Sequence, residues 1–257
     1  MNAAKASGLP LLAVTLPQFS GRPEVGLAAC VDAWRLGFGG GFVFDHLWPF
    51  GGPRTRPALE GWTLLAAAAA EVGRRPAPPG EGFRVGTLVT RAGLRPPAMV
   101  ARMAAGVGQV AGAPPIVGVG RGDLGNRDEN LAFGLPFGGA AERSRDLEAT
   151  VAALRGPLAG TPCPEVWVGG AGPGARELAG RLADGWNGWA RTPEELAAGL
   201  AGVRRAAERA GRDPAAVAGS WGGQVLVAPG RGPGRWPGGW PTPGTAGPSP
   251  PRSWRPA

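Results

Sequence analysis

Seven short apolar runs alternate with helix-like segments along this chain, and no other feature limits its fold so strongly. Leu11–Leu16, Phe42–Phe44, Arg84–Thr90, Pro115–Val119, Glu165–Val168, Trp186–Trp189 and Gln224–Val227 read as strands. Between them, Leu27, Val31 and Trp34 fall at helical spacing, and Leu59–Val72 is long and apolar enough for a buried helix. Met99, Met103, Val107 and Val110 mark the apolar face expected of a third helix, and Leu147, Val151 and Leu154 that of a fourth. Arg176–Ala183 is a short helix, and Leu196, Leu200, Val203 and Ala207 form the stripe of the last. That last helix has the clearest start, Thr192-Pro193-Glu194-Glu195, where Thr caps, Pro takes the first helical position and Glu195 completes a capping box.

A strand followed by a helix returns the chain to the same end of the sheet, so this alternation requires parallel pairing. The fold class is therefore α/β, a TIM (β/α)8-type barrel of about seven β units in which no eighth strand is legible. Residues 1–227 are expected to form the barrel domain. Residues 228–257 are rich in Pro, Gly, Arg and Trp and carry no periodicity. They read either as a disordered tail or as an out-of-frame translation of a G+C-rich gene, which would leave a truncated, inactive chain.

In such folds the chemistry gathers at the C-terminal ends of the strands. His46, the chain's only histidine, follows Asp45 at the end of the second strand. An imidazole titrates nearest neutrality and is the natural proton carrier. Asp45 and Asp123 are carboxylates able to orient it or accept a proton, whereas Glu129, in a polar loop, is expected to be solvated. Gly118, Gly120 and Gly122 at the fourth strand end allow either the close approach of a flat ring or a crowded strand end. Gly169-Gly170-Ala171-Gly172, between strand and helix, frees backbone N–H groups and aims a helix N-terminus at one point, as a phosphate site or a tight turn.

The formal net charge of +8 invites a nucleic-acid reading. Its excess is arginine scattered among Gly, Pro and Ala, without a binding motif, so nucleic acid is excluded and an anionic small-molecule ligand remains. No apolar run reaches the roughly 20 residues of a membrane span, and Met1–Pro10 lacks a signal-peptide pattern. Cys30 and Cys163 lack metal-ligand spacing and read as free thiols of a cytoplasmic protein.

Taken together, Phe44-Asp-His-Leu47, Leu59-Glu-Gly-Trp-Thr63, Val85-Gly-Thr-Leu-Val-Thr90, Gly118-Val-Gly-Arg-Gly122, Ala132-Phe-Gly-Leu-Pro-Phe137, Val166-Trp-Val-Gly-Gly170 and Ala183-Asp-Gly-Trp-Asn187 carry a resemblance. The chain resembles the bacterial luciferase-like flavin-dependent oxidoreductases, above all the branch that uses the deazaflavin coenzyme F-420. The resemblance implies a TIM barrel, often a homodimer, that transfers a hydride between coenzyme F-420 and a small organic substrate. It places Asp45 on the cofactor and His46 at the proton, with Asp123 where sugar-phosphate dehydrogenases of the family carry an acid. Thr87, Leu88 and Val89 match a bulge with a non-proline cis peptide beside the ring. Gly120, Gly122 and the Gly169, Gly170, Ala171, Gly172 loop are placed at further cofactor contacts, as is Arg121, which stands where the sugar-phosphate dehydrogenases carry a small residue. The alternative within the same fold is an FMN-dependent monooxygenase that uses molecular oxygen.

Overall fold

The computed structural model describes residues 11–49, 53–76, 82–156, 161 and 163–223. Its strands are β1 (Ala13–Thr15), β2 (Gly40–Val43), β3 (Arg84–Arg91), β4 (Ile116–Gly120), β5 (Glu165–Gly169), β6 (Gly185–Trp189) and β7 (Ala218–Gly222). Its helices are α1 (Pro23–Arg35), α2 (Gly61–Gly73), α3 (Pro97–Ala111), α4 (Arg127–Ala132), α5 (Ala140–Arg155), α6 (Pro173–Leu182) and α7 (Pro193–Arg209). The strands form one seven-stranded sheet in chain order, and each neighbouring pair is parallel. This is the curled, helix-covered sheet of a TIM-type barrel, with pairing described from β1 to β7. No described helix is long and apolar enough to cross a membrane.

Both sheet faces are covered, which is why the strands read as continuous apolar runs. Val117, Val119, Val166 and Val168 are fully buried, and Leu147, Val151 and Leu154 of α5 pack into the same core. The capping box at Thr192 and Glu195 is present, with hydrogen bonds of 3.2 and 3.1 Å. Two expectations need correction. The buried face of α3 is Val100, Ala104, Val107 and Gly108, so Met99 and Val110 are exposed. Small residues face the sheet because the helix lies close: a Cβ at Gly108 would come within 3.1 Å of Pro115. The seventh strand lies at Ala218–Gly222, while Gln224–Val227 and the 228–257 tail fall outside the described residues. Its Ala-Gly-Ser-Trp-Gly sequence has no apolar run to announce it. Its glycines accommodate neighbours instead: a Cβ at Gly222 would meet the Trp189 ring at 2.6 Å.

The feature that shapes the site is a bulge in β3. Thr87 pairs with Val117 and Thr90 with Val119, so the register slips between them, and the Leu88–Val89 peptide is cis. The glycine opposite makes room for it. A Cβ at Gly118 would lie 2.7 Å from the Thr87 carbonyl and 2.8 Å from Leu88 Cδ2.

Gly118→Ala is therefore expected to destabilise the fold by about 1–3 kcal/mol, because it overpacks a rigid strand crossing. Gly106→Ala, in α3 where an added Cβ meets nothing within 4 Å, should stabilise by about 0.5–1 kcal/mol through helix propensity. Thermal melts of the two variants should shift in opposite directions.

Candidate active site

Asp45 and His46 follow the end of β2, and each enters a different buried ion network. Asp45 is 1% exposed. Its Oδ2 accepts from the Thr90 hydroxyl at 2.5 Å and from Arg95 Nη1 at 2.6 Å, and its Oδ1 accepts from Arg95 Nη2 at 3.2 Å. Arg95 Nη2 also reaches Glu60 Oε1 at 2.6 Å. Glu60 in turn caps α2, accepting from the backbone N–H groups of Trp62 and Thr63. Burial works against ionisation of Glu60, but the hydrogen bonds from Thr63 and Trp62 and the charge of Arg95 hold its carboxyl below the usual range.

The His46 side chain keeps 19% of its surface exposed, and its Nδ1 lies 3.0 Å from Oε2 of Glu129 in α4. Glu129 is completely buried. Its Oε1 accepts the backbone N–H of Leu47 and, at 3.2 Å, that of Trp48. Its Oε2 also accepts from Arg91 Nη1 at 2.8 Å, at the end of β3. Burial opposes the charge on Glu129, yet the His46 hydrogen bond and the His46 and Arg91 charges outweigh it and hold the carboxyl down at about 2. An ionised carboxylate only accepts, so Nδ1 carries the hydrogen of this contact.

Asp45 is thus not the partner that holds Nδ1, and Glu129 is not solvated. The sequence held one signal for this: Arg91 ends an otherwise buried strand, and a buried guanidinium needs a carboxylate. Asp123 is exposed and turned to local work. It caps the 3-10 turn Leu124–Asn126, accepting from Gly125 N at 2.8 Å, while its own N–H donates to Asn126 Oδ1 at 2.9 Å. Thr87 is buried, and its hydroxyl donates to the Gly118 carbonyl at 3.0 Å, across the sheet.

Leu88 and Val89 are half-buried at the cis peptide, and the Val89 carbonyl accepts the Asp45 N–H at 3.3 Å. A Cβ at Gly120 would meet Val89 Cγ2 at 2.8 Å, and one at Gly169 would meet Val89 Cγ1 at 2.7 Å. Gly120 and Gly169 thus seat the bulge, and the crowding at Gly118 and Gly120 fits a packed strand end. Gly122, at φ +68°, turns the chain against Arg91 Cδ. Gly170, at φ +138°, opens the loop to α6. Gly172 is the N-cap of that ten-residue helix with no side-chain cap, and a Cβ there would have only Arg121 Nη2 near it, at 3.8 Å. Gly170 and Ala171 are exposed beside it. An uncapped helix N-terminus with open space above it and a guanidinium alongside suits an anionic group.

A parallel barrel-type sheet with a His–Glu pair, a bulged third strand and an anion-accepting loop at its strand ends is the frame of a (β/α)-barrel enzyme. The sequence pattern of the luciferase-like monooxygenase family matches residues 22–231. The chain belongs to that family, whose members are oxidoreductases. It is 31% identical over 190 residues to a phthiodiolone/phenolphthiodiolone dimycocerosates ketoreductase of Mycobacterium sp. (strain JLS), covering 64% of this chain and 47% of the relative. The enzyme of the same name from Mycobacterium kansasii is 30% identical over 188 residues, covering 64% and 48%. The chain thus spans about half the length of the curated relatives it matches. Among solved structures it is similar to an F-420-dependent secondary alcohol dehydrogenase in complex with an F-420–acetone adduct. The TM-score is 0.69 at 20% identity, covering 82% of this chain and 68% of the other. It is also similar to the EDTA monooxygenase of Chelativorans sp. BNC1, with a TM-score of 0.65 at 15% identity, covering 83% and 61%. At these identities the likeness is one of fold.

The depressed Glu129 carboxyl gives stability that is fully present above pH about 4.5 and is lost as pH falls toward about 2. Glu129→Gln should lower neutral-pH stability by about 3 kcal/mol, since it leaves Arg91 buried without a counter-charge. Its melting temperature should also fall less steeply than the wild-type value across that acid window. Parallel acid limbs in the two proteins would contradict the assignment.

Proposed function

We propose that this chain binds coenzyme F-420 at the strand ends and interconverts a ketone and a secondary alcohol. The observation that carries the reading is the His46–Glu129 pair, set beside the Leu88–Val89 bulge. The residues fit a cofactor of this kind. The uncapped α6 N-terminus, the Gly169–Gly172 loop and Arg121 would hold its phosphate, and the β3 bulge would lie against its ring. When bound, the deazaflavin supplies or accepts the hydride. Relatives named as ketoreductases and a fold neighbour named as a secondary alcohol dehydrogenase support carbonyl–alcohol exchange as the chemistry.

Reduction of a carbonyl consumes one hydride at carbon and one proton at oxygen. His46 Nε2–H is the proton donor in that direction, and Nε2 takes the alcohol proton in the reverse. Glu129 fixes the tautomer and the ring plane through Nδ1, and Arg91 with the Leu47 and Trp48 amides fixes Glu129. Asp45 acts at one remove: bound to Thr90 and Arg95, it ties the end of β2 to β3 and to the start of α2.

Fluorescence titration with coenzyme F-420 and, separately, with FMN tests the cofactor, and anaerobic oxidation of the reduced cofactor by small ketones tests the chemistry. F-420 should bind and turn over without oxygen. His46→Ala should lose about 10²–10⁴ of the turnover rate while cofactor affinity stays within about threefold. Unchanged turnover in the variant, or turnover only with FMN and oxygen, would overturn the proposal.

A further inference from the structure

Arg91 has a second edge that the His46–Glu129 pair does not use. Its side chain is 6% exposed, and only Nη1 is spent on Glu129, while Nε and Nη2 are buried with no hydrogen-bond partner among the described residues. Those two atoms form one side of the guanidinium, the two parallel N–H groups that match the oxygens of a carboxylate or phosphate. Leaving them unpaired inside the protein costs far more than exposing them to water.

Arg91 lines an open cleft between the ends of β3 and β4 and the start of α5. Arg121 and Arg143 also line it. Arg143 donates from Nη1 to the Gly138 carbonyl at 2.6 Å and stacks over Phe137 at 4.4 Å, which fixes its plane, while its Nε is buried and unpartnered. Arg121 donates from Nη1 to Ser144 Oγ at 3.1 Å. Glu142 and Asp146 line the cleft as well, and they match Arg121 and Arg143 in number while Glu129 balances Arg91. Asn130 donates to the Pro136 carbonyl, and its Oδ1 is a buried acceptor without a partner among the described residues. Unpaired guanidinium donors beside an unpaired acceptor suit an oxyanion with an exchangeable hydrogen nearby.

We propose that this cleft binds a carboxylate or phosphoryl group of a small molecule, gripped by the Nε–Nη2 edge of Arg91 and by Arg143. The site is distinct from the Gly169–Gly172 loop, with the Arg121 guanidinium standing between the two. An anion here touches Arg91, which also holds Glu129, so occupancy reaches the His46 pair through one guanidinium.

The test uses the full chain labelled with 15N-arginine, titrated with sodium acetate and with sodium phosphate against sodium chloride of equal ionic strength. The Nε–H resonances of Arg91 and Arg143, assigned with Arg91→Lys and Arg143→Lys, should shift saturably with acetate, phosphate or both. Whichever probe responds identifies the carboxylate or the phosphoryl source. Arg91→Lys keeps a charge for Glu129 but loses the two-pronged edge, and should weaken binding at the Arg143 signal at least tenfold. If that variant does not fold, Arg143→Lys should weaken the Arg91 response by a similar factor. Shifts no larger than those with chloride, or unchanged affinity in the folded variants, would mean that water alone fills the cleft and would overturn the proposal.

Discussion

One buried carboxylate joins the parts of this site. Glu129 sits on the short α4, which follows β4, yet every partner it has comes from elsewhere: His46, the Leu47 and Trp48 amides after β2, and Arg91 at the end of β3. A fully buried acid with fewer partners would take up a proton. Here the partners win over burial, and a carboxyl at about 2 is the result. The consequence is architectural as well as chemical. The excursion after β4 is fastened over the end of β2 by this contact, with Trp48 stacked edge-on against Phe133 and Arg54 over Trp48 reinforcing the same seam.

The bulge in β3 imposes a second constraint on its neighbours. Val89 occupies the space that side chains at positions 120 and 169 would fill, and Leu88 that of position 118. Glycines on β4 and β5 therefore answer to the shape of β3. In the run Gly118-Val-Gly-Arg-Gly122 the first two glycines make room for the bulge, and the Arg121 side chain is exposed.

The architecture was legible because a parallel sheet covered on both faces writes itself as apolar runs, as at Val117–Val119 and Val166–Val168. It was illegible where glycine replaces apolar side chains, as in β7. The positions of the Gly169–Gly172 loop and of His46 just after strands were readable from residue type and spacing. Their partners were not. Whether Asp45 or Glu129 meets the imidazole depends on how the chain after β4 folds back, and no local pattern encodes a contact across 83 residues. Arg91 was the one trace of it, a charge with no visible reason at the end of a buried strand.

Asp45 and His46 follow β2 one after the other, yet their side chains enter separate networks. Asp45, Thr90, Arg95 and Glu60 satisfy one another inside the protein and hold β2, β3 and α2 together. His46, partly exposed, pairs through Nδ1 with Glu129. Had both side chains fallen on one side, the nearer acid would have competed with Glu129 for Nδ1, and Arg95 would have competed with the ring for the acid. The brace at Asp45 and the His46–Glu129 pair thus stay apart while standing one residue from each other.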